Sequence, residues 1–331
     1  MDFNKLKNII EENDSFLLTT HVNPDADAIG SEIAMYYILK KLGKKTHIIN
    51  YSETPYNLEF LDKENVIRKY DKEIHQNLFD EVDVLIALDF NRSNRLVSMQ
   101  EAFLSSNKIK ISIDHHPEPE EFVDFNFIDI NYSATGHIIY DFLITTKIIS
   151  FDYSIAAPLY AAIMTDTGSF RFERTTAELH RIVADLLDKG VSPADIYDNI
   201  YDHSKISKIK LLGRALNTLQ LISDNKIGYM YIYRSTFKEL GALESDTDNF
   251  VNYSLSIENV VLGMLFVELK DGFKVSFRSK GKIPVNKLAS QIGGGGHLNA
   301  AGARLNNLVM IEEMPKIIKT AKEFLNKYYQ E

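Results

Sequence analysis

The chain has 331 residues, 45% hydrophobic and 25% charged, with 46 Asp and Glu against 37 Lys and Arg and a formal net charge of −9. It contains no cysteine, which removes disulfides, thiolate metal sites, iron–sulfur clusters and cysteine nucleophiles together. The length points to two domains, and the acidic total argues against a grip on long nucleic acid while leaving small anions open.

The polar start Met1-Asp2-Phe3-Asn4-Lys5 carries no apolar leader, and no stretch approaches the roughly 20 apolar residues of a membrane span. A cytoplasmic location without a membrane partner is the expectation. In chain order, 15–21 (SFLLTTH) reads as a buried strand, 30–42 as an amphipathic helix, and 46–51, 82–88 (VDVLIAL) and 109–114 (IKISID) as further strands. Helical patterns follow at 135–146, 154–164 and 177–189, the last stopped by Gly190. Continuous apolar strands separated by helices predict a parallel sheet covered on both faces. From 192 to about 223 the pattern is helical and polar, and reads as a connector. Beyond it come strands from Lys226 (GYMYIYR), at 260–269 and at 273–278, a helix at 285–291, a helix-like 299–303 and a C-terminal helix from about Ile311.

The acids and histidines fall beside strand ends. His21, Asp25 and Asp27 (HVNPDADAIGS) follow the first strand, Asp89 (LIALDFN) ends the third, Asp114, His115 and His116 (ISIDHHP) end the fourth, and Asp166 (AAIMTDTGSF) follows a helix. In open parallel sheets ligands bind at the carboxyl ends of strands. One such residue alone is ordinarily a helix cap or surface group; four clusters so placed are harder to explain that way. Carboxylates and imidazoles without thiolate favour Mn, Mg, Zn or Fe, and the oxygen-rich balance leans toward Mn. The four negative charges of Asp25, Asp27, Asp89 and Asp166 match two divalent cations, whereas bare they would repel. Such a pair sits roughly 3.5–4 Å apart across a bridging carboxylate and suits phosphoryl substrates. Asp89, alone on the central strand, is the expected bridge.

HVNPDADAIGS, ALDFNRSNR, SIDHHPE and TDTGSFRF resemble, in order, the four motifs of the DHH phosphoesterase superfamily, named for the tripeptide present here as Asp114-His115-His116. IGGGGHLNAAGA at 292–303 resembles the signature of the DHH-associated C-terminal domain. The resemblance covers nearly the whole chain, and its size is most similar to the nanoRNase/pAp-phosphatase branch. It implies an α/β fold: a parallel-sheet catalytic domain at 1–190, a helical connector at 191–224, and a smaller α+β substrate-binding domain at 225–331 across a cleft. It also implies that His21 and Asp25 bind one metal, that Asp27, His115 and Asp166 bind the other, and that Asp89 binds both. The ions would be Mn2+, with Mg2+ or Co2+ as substitutes. His116 would face the substrate phosphate as charge stabiliser or proton donor, with Asp114 orienting a histidine.

In the second domain, four glycines permit backbone turns that strain other residues, and their amides can form an anion nest. Gly294, Gly295, Gly296 and His297, with Arg278 and Ser279 at a strand end, are the candidate substrate contacts, arginine being suited to bidentate phosphate binding. Arg95 could reach a phosphate from the metal side, with a surface salt bridge nearly as good a reading. His137 departs from the family's small-residue turn and acid and reads as structural, and Phe170 and Phe172 read as core rather than as base-stacking platforms. Two anion sites on separate domains imply short oligoribonucleotides or pAp as substrates. A cyclic or linear dinucleotide is the alternative, and a non-enzymatic nucleotide-binding regulator has no need of a full ligand set. Relatives imply a homodimer, with no interface legible in the residues.

Overall fold

The apolar runs of the first half form strands β1 (Ser15–Thr20), β2 (Lys45–Asn50), β3 (Ile67–Lys69), β4 (Val84–Leu88), β5 (Ile109–Asp114) and β6 (Phe125–Ile128). All pair in parallel, in the order β3-β2-β1-β4-β5-β6. β1 is flanked by β2 on one side and β4 on the other, so the winding reverses there, which is where doubly wound sheets leave a crevice at the strand C-termini. The computed structural model describes residues 1–329.

Each central strand is buried on both faces. Phe16, Leu18, Ile48, Val84, Ile86, Ile111 and Ile113 point into one core, while the alternate residues Leu17, Ile49, Leu85 and Ala87 point into another; a period-2 side-chain alternation with both faces covered produces the unbroken apolar runs. The helices of this part are α1 (Phe3–Glu12), α2 (Ala26–Lys41), α3 (Lys72–His75), α4 (Leu78–Glu81), α5 (Gln100–Ser105), α6 (Thr135–Thr146), α7 (Tyr153–Asp166), α8 (Ala177–Asp188) and α9 (Pro193–Tyr197). Residues of α1, α2, α6, α7 and α8 fill the first core, and Phe79, Ala102 and Phe103 of α4 and α5 the second.

Two differences from the sequence reading concern this part. α2 begins at Ala26, and Ala26 through Met35 are all buried, so it is a central helix rather than an amphipathic one. A Cβ on Gly30 would lie 2.5 Å from Pro158 O on α7, so the two backbones are in contact where only glycine fits. β3 (IRK) and β6 (FNFI) went unread because short, half-polar edge strands carry little periodic signal.

The chain divides into two compact units, Met1–His203 and Ser204 onward. The stretch 191–224 is shared between them: Val191, Ile196 and Ile200 lie in the first unit's core, and Leu211 and Ala215 in a core of the second. Its polar look reflects one buried stripe per helix, not exposure on all sides.

The second unit holds α10 (Ile206–Asn217), β7 (Gln220–Ile222), β8 (Ile227–Ile232), α11 (Arg234–Leu240), α12 (Phe250–Leu255), β9 (Leu262–Leu269), β10 (Gly272–Ser279), α13 (Val285–Ser290), β11 (Gly295–Gly296), β12 (Ala300–Asn306) and α14 (Met310–Tyr329). Its sheet runs β11-β12-β10-β9-β8-β7, antiparallel except between β8 and β9. One face packs on α13 and α14, the other on α10 and α12. Of the helix-like 299–303, all but Asn299 form the start of β12. Its small residues let β11 lie close: a Cβ on Gly296 would meet Ala300 O at 2.5 Å and Ala301 Cα at 2.6 Å. Among the described residues no helix is long and apolar enough to cross a membrane.

Candidate active site

The C-terminal ends of β1, β4 and β5 deliver three of the four clusters to one place, and the end of α7 delivers the fourth. His21 follows β1, and its Nδ1 lies 3.0 Å from Val22 O; with the hydrogen on that nitrogen, Nε2 is left facing Asp89 Oδ2 at 3.4 Å. His115 is oriented the same way, with Nδ1 3.3 Å from Tyr132 O. Its Nε2 then faces Asp166 Oδ2 at 3.1 Å, Asp27 Oδ2 at 3.5 Å and Asp89 Oδ1 at 3.6 Å. A backbone carbonyl on one ring nitrogen fixes the tautomer that offers the other to a metal.

Asp25 caps α2, accepting from the amides of Asp27 and Ala28 at 3.1 Å, and also lies within reach of His21 and Asp89. Asp27 is fully buried. It accepts from Thr135 N at 2.7 Å, Gly136 N at 2.9 Å and Ser31 Oγ at 3.2 Å. Asp89 accepts from Thr135 Oγ1 at 2.9 Å and sits in the left-handed region at φ 65°, a conformation a non-glycine residue holds only at a cost. Asp114 accepts from His116 Nδ1 at 2.7 Å, and His116 lies 3.8 Å from Asp89 Oδ1. Asn91 donates to His116 O at 2.8 Å, holding the backbone of the tripeptide.

These groups do not sit comfortably on their own. Burial, then the charges of Asp27 and Asp25, push Asp89 well above the ordinary carboxylate range. Burial, then Asp166, raises Asp27 to about 6. Burial works against charge on His115, but Asp166, Asp27 and Asp114 outweigh it and hold its pKa at about 9. Burial lowers that of His21. Buried carboxylates that raise one another in this way, interleaved with imidazole nitrogens, form a donor set suited to divalent cations. Two three-residue groups could each hold one: His21, Asp25 and Asp89, and Asp27, His115 and Asp166. A third, Asp89, Asp114 and His116, overlaps the first through Asp89.

Sequence reading missed Thr135, Gly136 and Tyr132. The signal for Thr135 and Gly136 was present: a helix beginning at 135 must offer free amides at its N-terminus, and a buried carboxylate is their natural acceptor. His137 contacts Ser133 Oγ at 3.2 Å and the Tyr132 ring, a local role. Phe170 packs against the first core, whereas Phe172 is 51% exposed and lies over Gly168. Arg95 O accepts from Val22 N at 3.0 Å, pinning its loop to the His21 segment, and Asp89, Asp25 and Asp114 act on its guanidinium electrostatically.

The second set of candidates lies in the second unit. Arg278 is the last residue of β10 paired with β12, and it donates through Nη1 to Phe277 O at 3.0 Å. Ser279, expected beside it as a phosphate contact, is 8% exposed; its hydroxyl donates to Ile283 O at 2.6 Å and accepts from Asn299 at 3.0 Å, so it braces the turn. The glycine run also differs from an open nest. The amides of Gly293, Gly294 and His297 donate to Ser290, Ala289 and Ala300 carbonyls, and a Cβ on Gly294 would meet Gly302 O at 2.2 Å. Close approach of backbones requires Gly294 and Gly296, whereas Gly293 is called for by its φ of 79°. Gly295, Gly296 and Gly294 pass along the β12 edge, with Gly295 and Gly296 exposed.

This fold and site define a phosphoesterase of the DHH family, and the chain belongs to that family. Residues 15–163 match the DHH family N-terminal domain and residues 224–327 the DHHA1 domain. The bifunctional oligoribonuclease and PAP phosphatase NrnA of Thermus thermophilus is 32% identical over 311 residues, 94% of this chain and 90% of that protein. The protein of the same name in Bacillus subtilis is 28% identical over 294 residues, covering 88% and 90%. The crystal structure of an exopolyphosphatase-related protein from Bacteroides fragilis matches with a TM-score of 0.88 at 30% identity, covering 98% of this chain and 96% of that one.

Proposed function

We propose that this chain hydrolyses short oligoribonucleotides to mononucleotides, and 3'-phosphoadenosine 5'-phosphate as well, with two divalent cations, manganese foremost. The observation that carries the reading is the cluster in which the buried Asp89 stands between the His21–Asp25 group and the Asp27–His115–Asp166 group. In this reading His21 and Asp25 hold one cation, Asp27, His115 and Asp166 the other, and Asp89 both. Bound cations would supply the positive charge that activates a water and offsets charge developing on the phosphoryl group.

The chain's own residues do the rest. Thr135 and Gly136 hold Asp27 and Asp89 in place. Asp114, hydrogen-bonded to His116 Nδ1, presents the opposite ring edge to a substrate phosphate, where it stabilises charge or gives a proton to the leaving oxygen. Burial alone would raise Asp114, but the hydrogen bond and charge of His116 outweigh it and keep its carboxyl below the usual range. Arg278 and His297 are the contacts we assign to a distal phosphate, by their side chains rather than by glycine amides. The relatives named for oligoribonuclease and PAP phosphatase activity support this substrate class.

A panel of two- to five-nucleotide RNAs, a 30-mer and pAp, assayed with Mn2+, Mg2+ and Co2+ and with products identified by mass, tests the proposal. Mononucleotides should form from the short RNAs, and chelation should stop the reaction. Efficient degradation of the 30-mer, or turnover indifferent to chelator, would sink it.

A further inference from the structure

Glu32 lies on α2, more than a turn beyond Asp27, and no cation ligand touches it. It is fully buried. Asn50 Nδ2 donates to its Oε2 at 2.7 Å, and its Oε1 meets no hydrogen-bond partner. An ionised carboxylate enclosed with one amide hydrogen bond is costly, so the neutral acid is the form this pocket supports.

Asn50 ends β2 and is itself buried. Its Oδ1 accepts from Thr20 N at 3.0 Å, and Thr19 Oγ1 lies 3.5 Å from the same oxygen. Thr20 in turn donates through Oγ1 to Leu88 O at 2.7 Å. One chain of hydrogen bonds therefore runs from α2 across the C-terminal ends of β2, β1 and β4. It reaches Thr20, the residue before His21, through its amide, and ends at the Leu88 carbonyl, in the peptide that leads into Asp89. A side-chain amide suits the middle, because its nitrogen donates toward Glu32 while its oxygen accepts from the Thr20 amide.

We propose that Glu32, acting through Asn50, is a positioning residue for the His21 side of the cation centre. It fixes the orientation of the Asn50 amide, and that amide sets the depth of the Thr20–His21 backbone against Leu88–Asp89. The inference rests on the reading above that His21 and Asp89 share a cation. Burial raises Glu32 to about 8, the Asn50 hydrogen bond working against it and the charge of Asp62 adding to it, which agrees with a neutral anchor.

Manganese titrations of the full chain, with free Mn2+ read by electron paramagnetic resonance, test the network. The wild type is expected to take two ions. Asn50→Ala and Glu32→Ala should keep one at wild-type affinity and bind the other about tenfold more weakly, as lost outer-layer support does. Glu32→Gln should keep both, since its amide oxygen still accepts from Asn50. Unchanged affinities in Asn50→Ala, equal losses for both ions, or a glutamine variant as weak as the alanine one would overturn the proposal. Should Glu32→Ala fail to fold, Asn50→Ala and Glu32→Gln carry the comparison. A wild-type chain that takes up no manganese overturns the cation reading itself, and the positioning role with it.

Discussion

Asp89 concentrates the physics of the site in one residue. It is 3% exposed, in a left-handed backbone conformation, with burial and then other carboxylates pushing its pKa up. Strain and repulsion at one buried group persist only where the surroundings fix them, and such places cluster at functional sites. Asp89→Ala should lower kcat by on the order of 10³-fold, with bound manganese, measured by elemental analysis, falling below two per chain. Asp114 has a different task, orienting His116, so Asp114→Asn should lower kcat about 10- to 100-fold while the metal content stays unchanged. Glu32 gives a pH signature. Its ordinary value of 4.5 is raised to about 8 in the folded chain. Below about pH 4.5 both folded and unfolded chains hold the proton; above that the unfolded chain loses it first, so stability falls until pH passes about 8. Glu32→Gln should match the wild type in urea unfolding at pH 4.5 and exceed it by a few kcal/mol at pH 8.5.

Among the elements, α2 matters most, because it carries Asp27 and Glu32 and is enclosed by the sheet, α6 and α7. Its contact with α7 is backbone to backbone at Gly30 and Pro158, and a Cβ on Gly136 of α6 would lie 2.6 Å from Ala162 Cβ on α7. Three helices thus meet at two glycines beside the cluster. Gly30→Ala should cost roughly 1–3 kcal/mol of stability in denaturant unfolding, since the obstacle is a carbonyl rather than a movable side chain. The same enclosure explains why an amphipathic reading of 30–42 missed the nature of this helix: hydrophobic periodicity marks one buried face, and α2 has several. α6 contributes at its first turn, where the amides of Thr135 and Gly136 bind Asp27, a use of a helix N-terminus inside the protein itself.

At the level of the whole molecule, the net charge of −9 hides an uneven division. From Ser204 onward the sequence has 18 Lys and Arg against 12 Asp and Glu, which leaves 19 against 34 before it. The acidic total therefore says little about whether the second unit attracts a phosphodiester chain. Raising salt from about 50 to 200 mM should raise KM for a pentanucleotide several-fold and leave kcat within about twofold, measured by initial rates. A KM indifferent to salt would show that the basic unit takes no part in holding the substrate.

Strands β1, β4 and β5, the parallel sheet, the four acid and histidine clusters and the family are all legible from the residues without a structure. These are local signals: apolar runs of strand length and motifs confined to a few residues. The tertiary structure alone decided what depends on atoms distant in the chain. It brought Thr135 to Asp89 and Asn50 to Glu32, closed Gly30 onto Pro158, and shared the stretch read as a connector between two cores. It also drew the glycine run against β12 and committed the amides of Gly293, Gly294 and His297 to backbone carbonyls. Hydrogen bonds and backbone contacts between residues tens of positions apart leave no periodicity behind, so only the folded chain reveals which glycine is there for a turn and which for a neighbour.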